Sequence, residues 1–526
     1  MHTGVHVVWY KRDLRIHDSP ALQAAAHHGT VLPLYIVEPS LVHAPDFDPA
    51  HWTFLRQSLD VLRNELAALG QPLVVRVGEV VDVLEVLSHE IPLLMVWSHE
   101  ETGTWQTYQR DLAVARWAKA HRIPWHELPQ TGVVRRLKTR NGWASMWEHF
   151  IRAPLATTPT SLPNIPEIVL GHVPTPGDLG LPFSTRTELQ PGGEHEARQV
   201  LTSFLSTRGA GYQRAMSSPL TAWEGCSRLS PHLAWGTASL RSVYHALLHR
   251  QEALRLMDAH ERVTLAGPTL KDVSAFQSRL HWRSHFMQKL EDEPRIEFEN
   301  FHHAYDGLRE HEFRRDWFEA WCAGRTGYPF IDACMRAACA TGYLNFRMRA
   351  MLVSFACYDL WLHWREPAVF LARQWLDYEP GIHYSQMQMQ AGTTGINTVR
   401  IYDPTKQAQD QDPDGVFIRR WVPELATVPH AYIHLPWRMP TEVQHKHGCV
   451  LGRDYPWPIV DHTSAARLAH TRIARLRRLS VTRDQARAVL LRHGSRKDVG
   501  RRLKTLSDGE IHQLSLDFSS EDERRE

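Results

Sequence analysis

Short apolar runs recur through the first part of the chain: Val5–Trp9, Val31–Val37, Leu73–Val77 and Leu93–Trp97. They are rich in β-branched residues and apolar at nearly every position, which predicts strands buried on both faces. Helical patterns lie between them, such as Ser19–Ala26 and Trp52–Ala68. Strands alternating with helices predict a parallel, Rossmann-like α/β sheet. Leu155–Gly193 is rich in Pro, Thr and Gly and reads as a connection without regular structure. From Glu194 onward the pattern is helical. The expected organisation is therefore an α/β domain over 1–150, a linker over 151–193, a large all-α domain over 194–478 and a basic tail over 479–526.

Within the helical part, Gly324–Leu425 is the densest block. Ile331, Cys334, Met335 and Ala338 share one helical stripe, and Met348, Met351, Leu352 and Phe355 share another. The same block carries Arg347, Arg349, Asp359, Arg365, Asp377 and Glu379. Buried charge is costly unless it is paired or meets a ligand. The pattern fits either a core helix pair with exposed polar faces or a cavity with an Arg–carboxylate clamp.

Composition narrows the class. A chain of 526 residues with 43% hydrophobic content supports two or three domains with a large core. No apolar run reaches about 18 residues, so no membrane span is expected, and the N-terminus lacks a secretory pattern. The six Cys contain no CxxC pair and read as reduced, buried thiols of a cytoplasmic protein; no metal site is expected. The 19 Trp invite a reading in terms of stacking or redox chemistry. Ser227 to Ser230, just before Pro231, has the chemistry of a helix start, where hydroxyls and free N–H groups bind anions or simply cap the helix.

The stretch VVWYKRDLRIHDSPAL, Val7 to Leu22, resembles the opening of the DNA photolyase/cryptochrome family. TGYPFIDACMR, WRE and FIRRWVPEL in the Gly324–Leu425 block resemble the same family, and the likeness runs from Val5 to about Arg478. It implies FAD as cofactor, and an antenna chromophore at the carboxyl edge of the sheet, where His99, Glu100 and Glu101 fall. It implies that Tyr212, Ser227, Arg228, Leu229 and Ser230 grip the FAD diphosphate, with Cys226 where the family often has Thr. Arg283, Arg349, Asp377 and Glu379 fall at flavin-site positions, and His383 at the position facing flavin N5, where a neutral imidazole would donate a hydrogen bond. Trp282 matches the platform for an extruded base.

Several positions depart from the family's pattern. Arg279 stands where enzymes acting on cyclobutane dimers carry Glu. Met387 and Met389 replace the Trp residues of a WQW loop, the second of which packs on the DNA lesion. Trp364 keeps the middle member of the usual electron-transfer chain, while His311 takes the outer place. Trp317, Trp321, Tyr343, Tyr358 and Tyr384 are candidates for another route. Asn345–Phe346 occupies the place of the His pair expected of (6-4) photolyases.

Arg347 and Arg400 match phosphate- or lesion-side positions on DNA, with Lys406, Arg419 and Arg420 adding charge or forming internal bridges. Arg472 to Lys504 holds twelve Lys or Arg against two Asp, which suits a solvated basic helix or a DNA-facing extension. Gln513, Leu514, Leu516 and Phe518 lie in QLSLDF, similar to the peptide by which bacterial repair proteins dock on the sliding clamp. The expected protein is a monomer that repairs UV lesions in DNA, or a cryptochrome-like photoreceptor that binds FAD without repair.

Overall fold

The computed structural model describes residues 4–186, 188–258 and 266–494. Five parallel strands form one sheet: β1 (Val5–Tyr10), β2 (Val31–Val37), β3 (Val74–Val77), β4 (Leu93–His99) and β5 (Trp125–Leu128), in the order β3-β2-β1-β4-β5. Both faces are covered, which explains the unbroken apolar runs. Val7, Trp9, Leu32, Leu34 and Val96 face one core, while Val8, Tyr10, Val31, Tyr35 and Trp97 face the other. The four apolar runs all form strands. β5, with the sequence WHEL, is short and polar enough to escape the apolar pattern.

The second core is completed from the helical part, by Ala234, Trp235 and Leu376. The KRD motif latches the two parts together. Arg12 lies over the Trp235 ring at 4.4 Å and donates from Nε to the Ala234 carbonyl at 2.9 Å and from Nη2 to the Tyr378 carbonyl. Arg15 reaches the Gly236 carbonyl at 3.0 Å. Asp18 pairs with Arg241 and accepts from Ser239. A motif noticed for its family likeness is thus also an inter-domain fastener.

The connection after the Trp143–Arg152 helix holds one short 3₁₀ turn, Gly177–Leu179. It is nonetheless pinned along the sheet: Leu162 N donates to the Leu69 carbonyl at 2.6 Å and Val75 N to the Leu170 carbonyl at 2.8 Å. A helix then begins at Glu194, where the pattern changes.

The Gly324–Leu425 block includes the Pro329–Thr341, Phe346–Ser354, Arg365–Gln374 and Pro380–Ala391 helices around the largest core. The segment read as a loop around Met387 and Met389 is the last of these. Pro380 sets its first turn, and Gly392 ends it at φ 78°. Met387, Gln388, Met389 and Gln390 are all buried, so no polar stripe betrays the helix.

At the far end, the Ser480–His493 helix packs on the body. His302 Nε2 donates to the Thr482 carbonyl at 2.8 Å, and Arg492 lies 3.2 Å from Glu293. Part of the expected basic tail is therefore docked. Gln513, Leu514, Leu516 and Phe518 lie outside the described residues. Among the described residues, no helix is long and apolar enough to cross a membrane.

Candidate functional site

The Arg–carboxylate clamp is present. Arg349 donates two parallel bonds to Asp377, Nη1–Oδ1 at 2.9 Å and Nη2–Oδ2 at 3.1 Å, while its Nε reaches the Leu344 carbonyl at 2.6 Å. Trp375 supports the guanidinium from below at 4.2 Å. Burial raises the Asp377 pKa, but the Arg349 charge and its bonds outweigh this, with help from Ser230, and hold the carboxyl below its usual range. The pair is thus ionised and fixed.

Ser227–Ser230 gathers beside it. Arg208 fastens the stretch from behind, donating to the Cys226 carbonyl at 2.7 Å and the Ser227 carbonyl at 3.3 Å. Arg228 adopts φ 61°, an unusual conformation for a non-glycine residue. Its guanidinium lies between two rings, 3.9 Å from Trp223 and 3.7 Å from Tyr343. Burial lowers its pKa, and its Nη1 is buried without a hydrogen-bond partner.

The helix expected here is only the short Ser230–Ala234, and neither serine caps it. Ser227 Oγ instead accepts from Leu229 N at 3.4 Å, and Ser230 serves Asp377. Leu229 is fully buried and anchors the stretch. Tyr212 is buried edge-on between Phe204 and Phe276, its hydroxyl bonded to Arg279.

Arg283, on the Leu270–Asp292 helix, donates to Glu379 Oε2 at 2.6 Å and to the Leu233 carbonyl at 2.9 Å. Together with Met287 and Ala234, this pair lines a cleft of about 430 Å³. Trp282 is half-buried and stacks on Phe286 at 5.8 Å.

His383 requires a correction. Burial lowers its pKa to about 4, so the ring is neutral, and Nε2 lies 2.8 Å from the Ala368 carbonyl. A neutral imidazole has one N–H, and that carbonyl takes it. Nδ1 is left as an acceptor, so His383 cannot donate to a ligand as the sequence suggested.

The remaining positions are dispersed. Trp364 is fully buried, with Nε1 2.7 Å from Asn300 Oδ1. His311 sits on the short turn Glu310–Glu312 at the surface. Met389 is buried, Arg347 is exposed and Arg400 is intermediate. Arg419 spends its fork on the Asp414 and Val428 carbonyls, and Arg420 pairs with Glu188 at 2.9 Å.

A second cavity, of about 850 Å³, opens at the carboxyl ends of β1 and β2. Aromatic walls come from Phe47, His51, Trp52, Trp235 and Tyr378. Its polar rim is a network that sequence reading touched only at Glu101. Arg110 joins Glu38 at 3.0 Å and Glu101 at 2.6 Å, and burial pushes Glu38 up to about 7. His99 turns away from the cavity to meet Asp13 at 2.6 Å.

The donor set fits a flavin dinucleotide. A guanidinium whose buried Nη1 has no hydrogen-bond partner suits a phosphate oxygen, and a charged clamp suits the polar edge of the ring.

The model for the FAD binding domain of DNA photolyase matches residues 276–475, and the DNA photolyase model matches residues 6–167. A cryptochrome DASH of Gloeobacter violaceus is 30% identical over 503 residues, covering 88% of this chain and 94% of that protein. The deoxyribodipyrimidine photo-lyase of Escherichia coli is 30% identical over 487 residues, covering 88% of this chain and 96% of its own. The crystal structure of a bacterial class III photolyase from Agrobacterium tumefaciens superposes with a TM-score of 0.77 at 27% identity, covering 91% of this chain and 99% of that one.

Proposed function

The chain belongs to the DNA photolyase/cryptochrome family, and on that premise we propose that it is a FAD-dependent, blue-light-driven photolyase that repairs pyrimidine dimers in DNA. When bound, reduced FAD would supply the light-driven one-electron chemistry that dimer splitting requires.

The chain's own residues do the rest. Arg228, Ser227 and the backbone from Leu229 to Ser230 hold phosphate oxygens, with Tyr212 bracing the stretch. Arg349, fixed by Asp377, presents a permanent positive charge to the ring's polar edge. Arg283 and Glu379 close the opposite wall. His383 offers Nδ1 as an acceptor. Trp282 is the stacking platform for an extruded base, and Arg347 and Arg400 face the DNA, while the buried Met389 does not reach it. The second cavity takes a planar light-harvesting chromophore. The protein acts as a cytoplasmic monomer, and Gln513, Leu514, Leu516 and Phe518 dock on the sliding clamp.

The observation that carries the flavin reading is the buried, partnerless Nη1 of Arg228 in the same cluster as the ionised Arg349–Asp377 clamp.

A second reading, a blue-light photoreceptor without repair, is favoured by Arg279. Its guanidinium is bonded to Tyr212 and lies 3.6 Å from Met216 Sδ. It cannot accept a hydrogen bond from a pyrimidine edge as a carboxylate does. The deciding experiment exposes dimer-containing oligonucleotides to chemically pre-reduced protein under blue light. Disappearance of dimers supports repair; their persistence at full flavin occupancy leaves the photoreceptor.

A further inference from the structure

We infer that Tyr384 and Tyr378, with Asp46 as proton acceptor, form a redox relay between the wall of the flavin site and the second cavity. The inference rests on the FAD reading above. Tyr384 follows the buried Trp364, their ring centroids 6.5 Å apart. Tyr378 lies a further 6.5 Å on. Both tyrosine rings touch His383, each at 5.3 Å. Past Tyr378 the path continues through the stacked ring of His51 at 6.2 Å to Trp235 at 5.7 Å. Tyr378, His51, Trp235 and Asp46 all line the second cavity.

The hydroxyls are wired in order. Tyr378 Oη lies 2.6 Å from Asp46 Oδ2 and 3.2 Å from Tyr384 Oη. Its single proton goes to the carboxylate, so Tyr384 donates to Tyr378. His51 does not compete as the base. Its Nε2–H donates to the Trp375 carbonyl at 2.9 Å, and its Nδ1 accepts from Asp48 N at 3.3 Å.

An oxidised phenol is a strong acid and persists only if its proton leaves. The Arg365 guanidinium, 5.5 Å from the Tyr384 ring, makes a cationic radical there still less favourable. One electron passes from Tyr384 to the photoexcited, oxidised flavin. In the same step the Tyr384 proton moves to Tyr378 Oη and the Tyr378 proton to Asp46. The products are a neutral Tyr384 radical and a protonated Asp46. A thiol reductant later returns the electron, and Asp46 returns the proton. This route needs none of the Trp residues missing at Met387, Met389 and His311.

The test is electron paramagnetic resonance of the full chain, loaded with oxidised FAD and lit with blue light without added reductant. A neutral tyrosyl radical is expected. Tyr384→Phe should remove it, and Tyr378→Phe should deplete it. Asp46→Asn should slow its formation by about a hundredfold, the usual scale for losing a positioned base. Flavin content, read from absorbance, controls for folding, and Asp46→Asn keeps the test open if a tyrosine variant fails to fold. Flavin-loaded wild type without a tyrosyl radical, or a radical untouched by both Tyr384→Phe and Asp46→Asn, overturns the relay alone. A wild-type chain that takes up no FAD overturns the flavin reading as well.

Discussion

Arg349 and Asp377 meet in a two-bond fork, at 2.9 and 3.1 Å, with the carboxylate side chain only 10% exposed. Removing one partner strands the other. Arg349→Ala should cost about 3–5 kcal/mol, the scale for breaking a buried pair, and should release the flavin. Arg349→Lys keeps the charge but not the fork and should fall between the two. Flavin absorbance retained after gel filtration, together with a denaturant titration, measures both effects.

The same pair fixes one part of the acid behaviour. The Asp377 pKa is depressed in the folded chain. Its stabilisation is therefore fully present above the unfolded carboxylate value, about 3.9, and is lost as pH falls through the lower folded value. Asp377→Asn should remove this dependence, seen as a flatter stability curve at the acid end.

His383 acts over a different window. Its folded pKa of about 4 lies below the ordinary imidazole value of about 6.5. Between these values the unfolded chain binds a proton that the folded chain refuses. Stability contributed there is full above about 6.5 and is lost as pH falls toward 4. Gln can still donate to the Ala368 carbonyl but does not titrate. His383→Gln should therefore lower the proton uptake on unfolding near pH 5 by about one proton. Calorimetry in buffers of different ionisation enthalpy reads this directly; unchanged uptake would mean that the ring is already charged in the fold.

The sheet was legible because both faces of β1 and β2 are buried, so nearly every residue carries the apolar signal, His6 being the polar exception. β5 was not, because two of its four residues, His126 and Glu127, are polar and its place comes from pairing with β4. The Arg349–Asp377 clamp was visible as charge inside an apolar block. The Arg228 sandwich was only half visible: the sequence offers the Arg, but Trp223 and Tyr343 arrive through the fold from both sides. The His383 tautomer was not legible at all, since it depends on a carbonyl fifteen residues away in the chain. Nor was the Tyr378–Asp46 bond, whose partners are separated by 332 positions and belong to different domains.

The Ser480–His493 helix is held by more than apolar contact. Arg492 and His493 both reach Glu293, which Arg295 also pairs, and Gln485 Oε1 accepts from Ala304 N at 3.2 Å. Truncation after Arg478 should lower the unfolding midpoint while leaving flavin content unchanged, because none of these contacts involves the clamp. A thermal scan of full-length and truncated protein checks it; equal midpoints would show that the helix is not docked in solution.

Gly381 sets the distance between the two helices that carry the cleft wall. It lies in the first turn of the Pro380–Ala391 helix, and a Cβ there would stand 2.7 Å from the backbone Cα of Met287. That atom belongs to a helix and cannot swing aside, so Gly381→Ala must push the helices apart. Overpacking of this kind costs about 1–3 kcal/mol. The shift acts on the Arg283–Glu379 bond, which spans the same two helices at 2.6 Å, and should weaken flavin retention as well as stability. Gly448→Ala separates this from a backbone effect. Gly448 has φ 67° but nothing within 4 Å of its would-be Cβ, so only conformational strain, about 1 kcal/mol, is expected there. Flavin retention should fall in Gly381→Ala and stay at the wild-type level in Gly448→Ala. Equal retention in the two variants would show that the close approach at Met287 does not set the site.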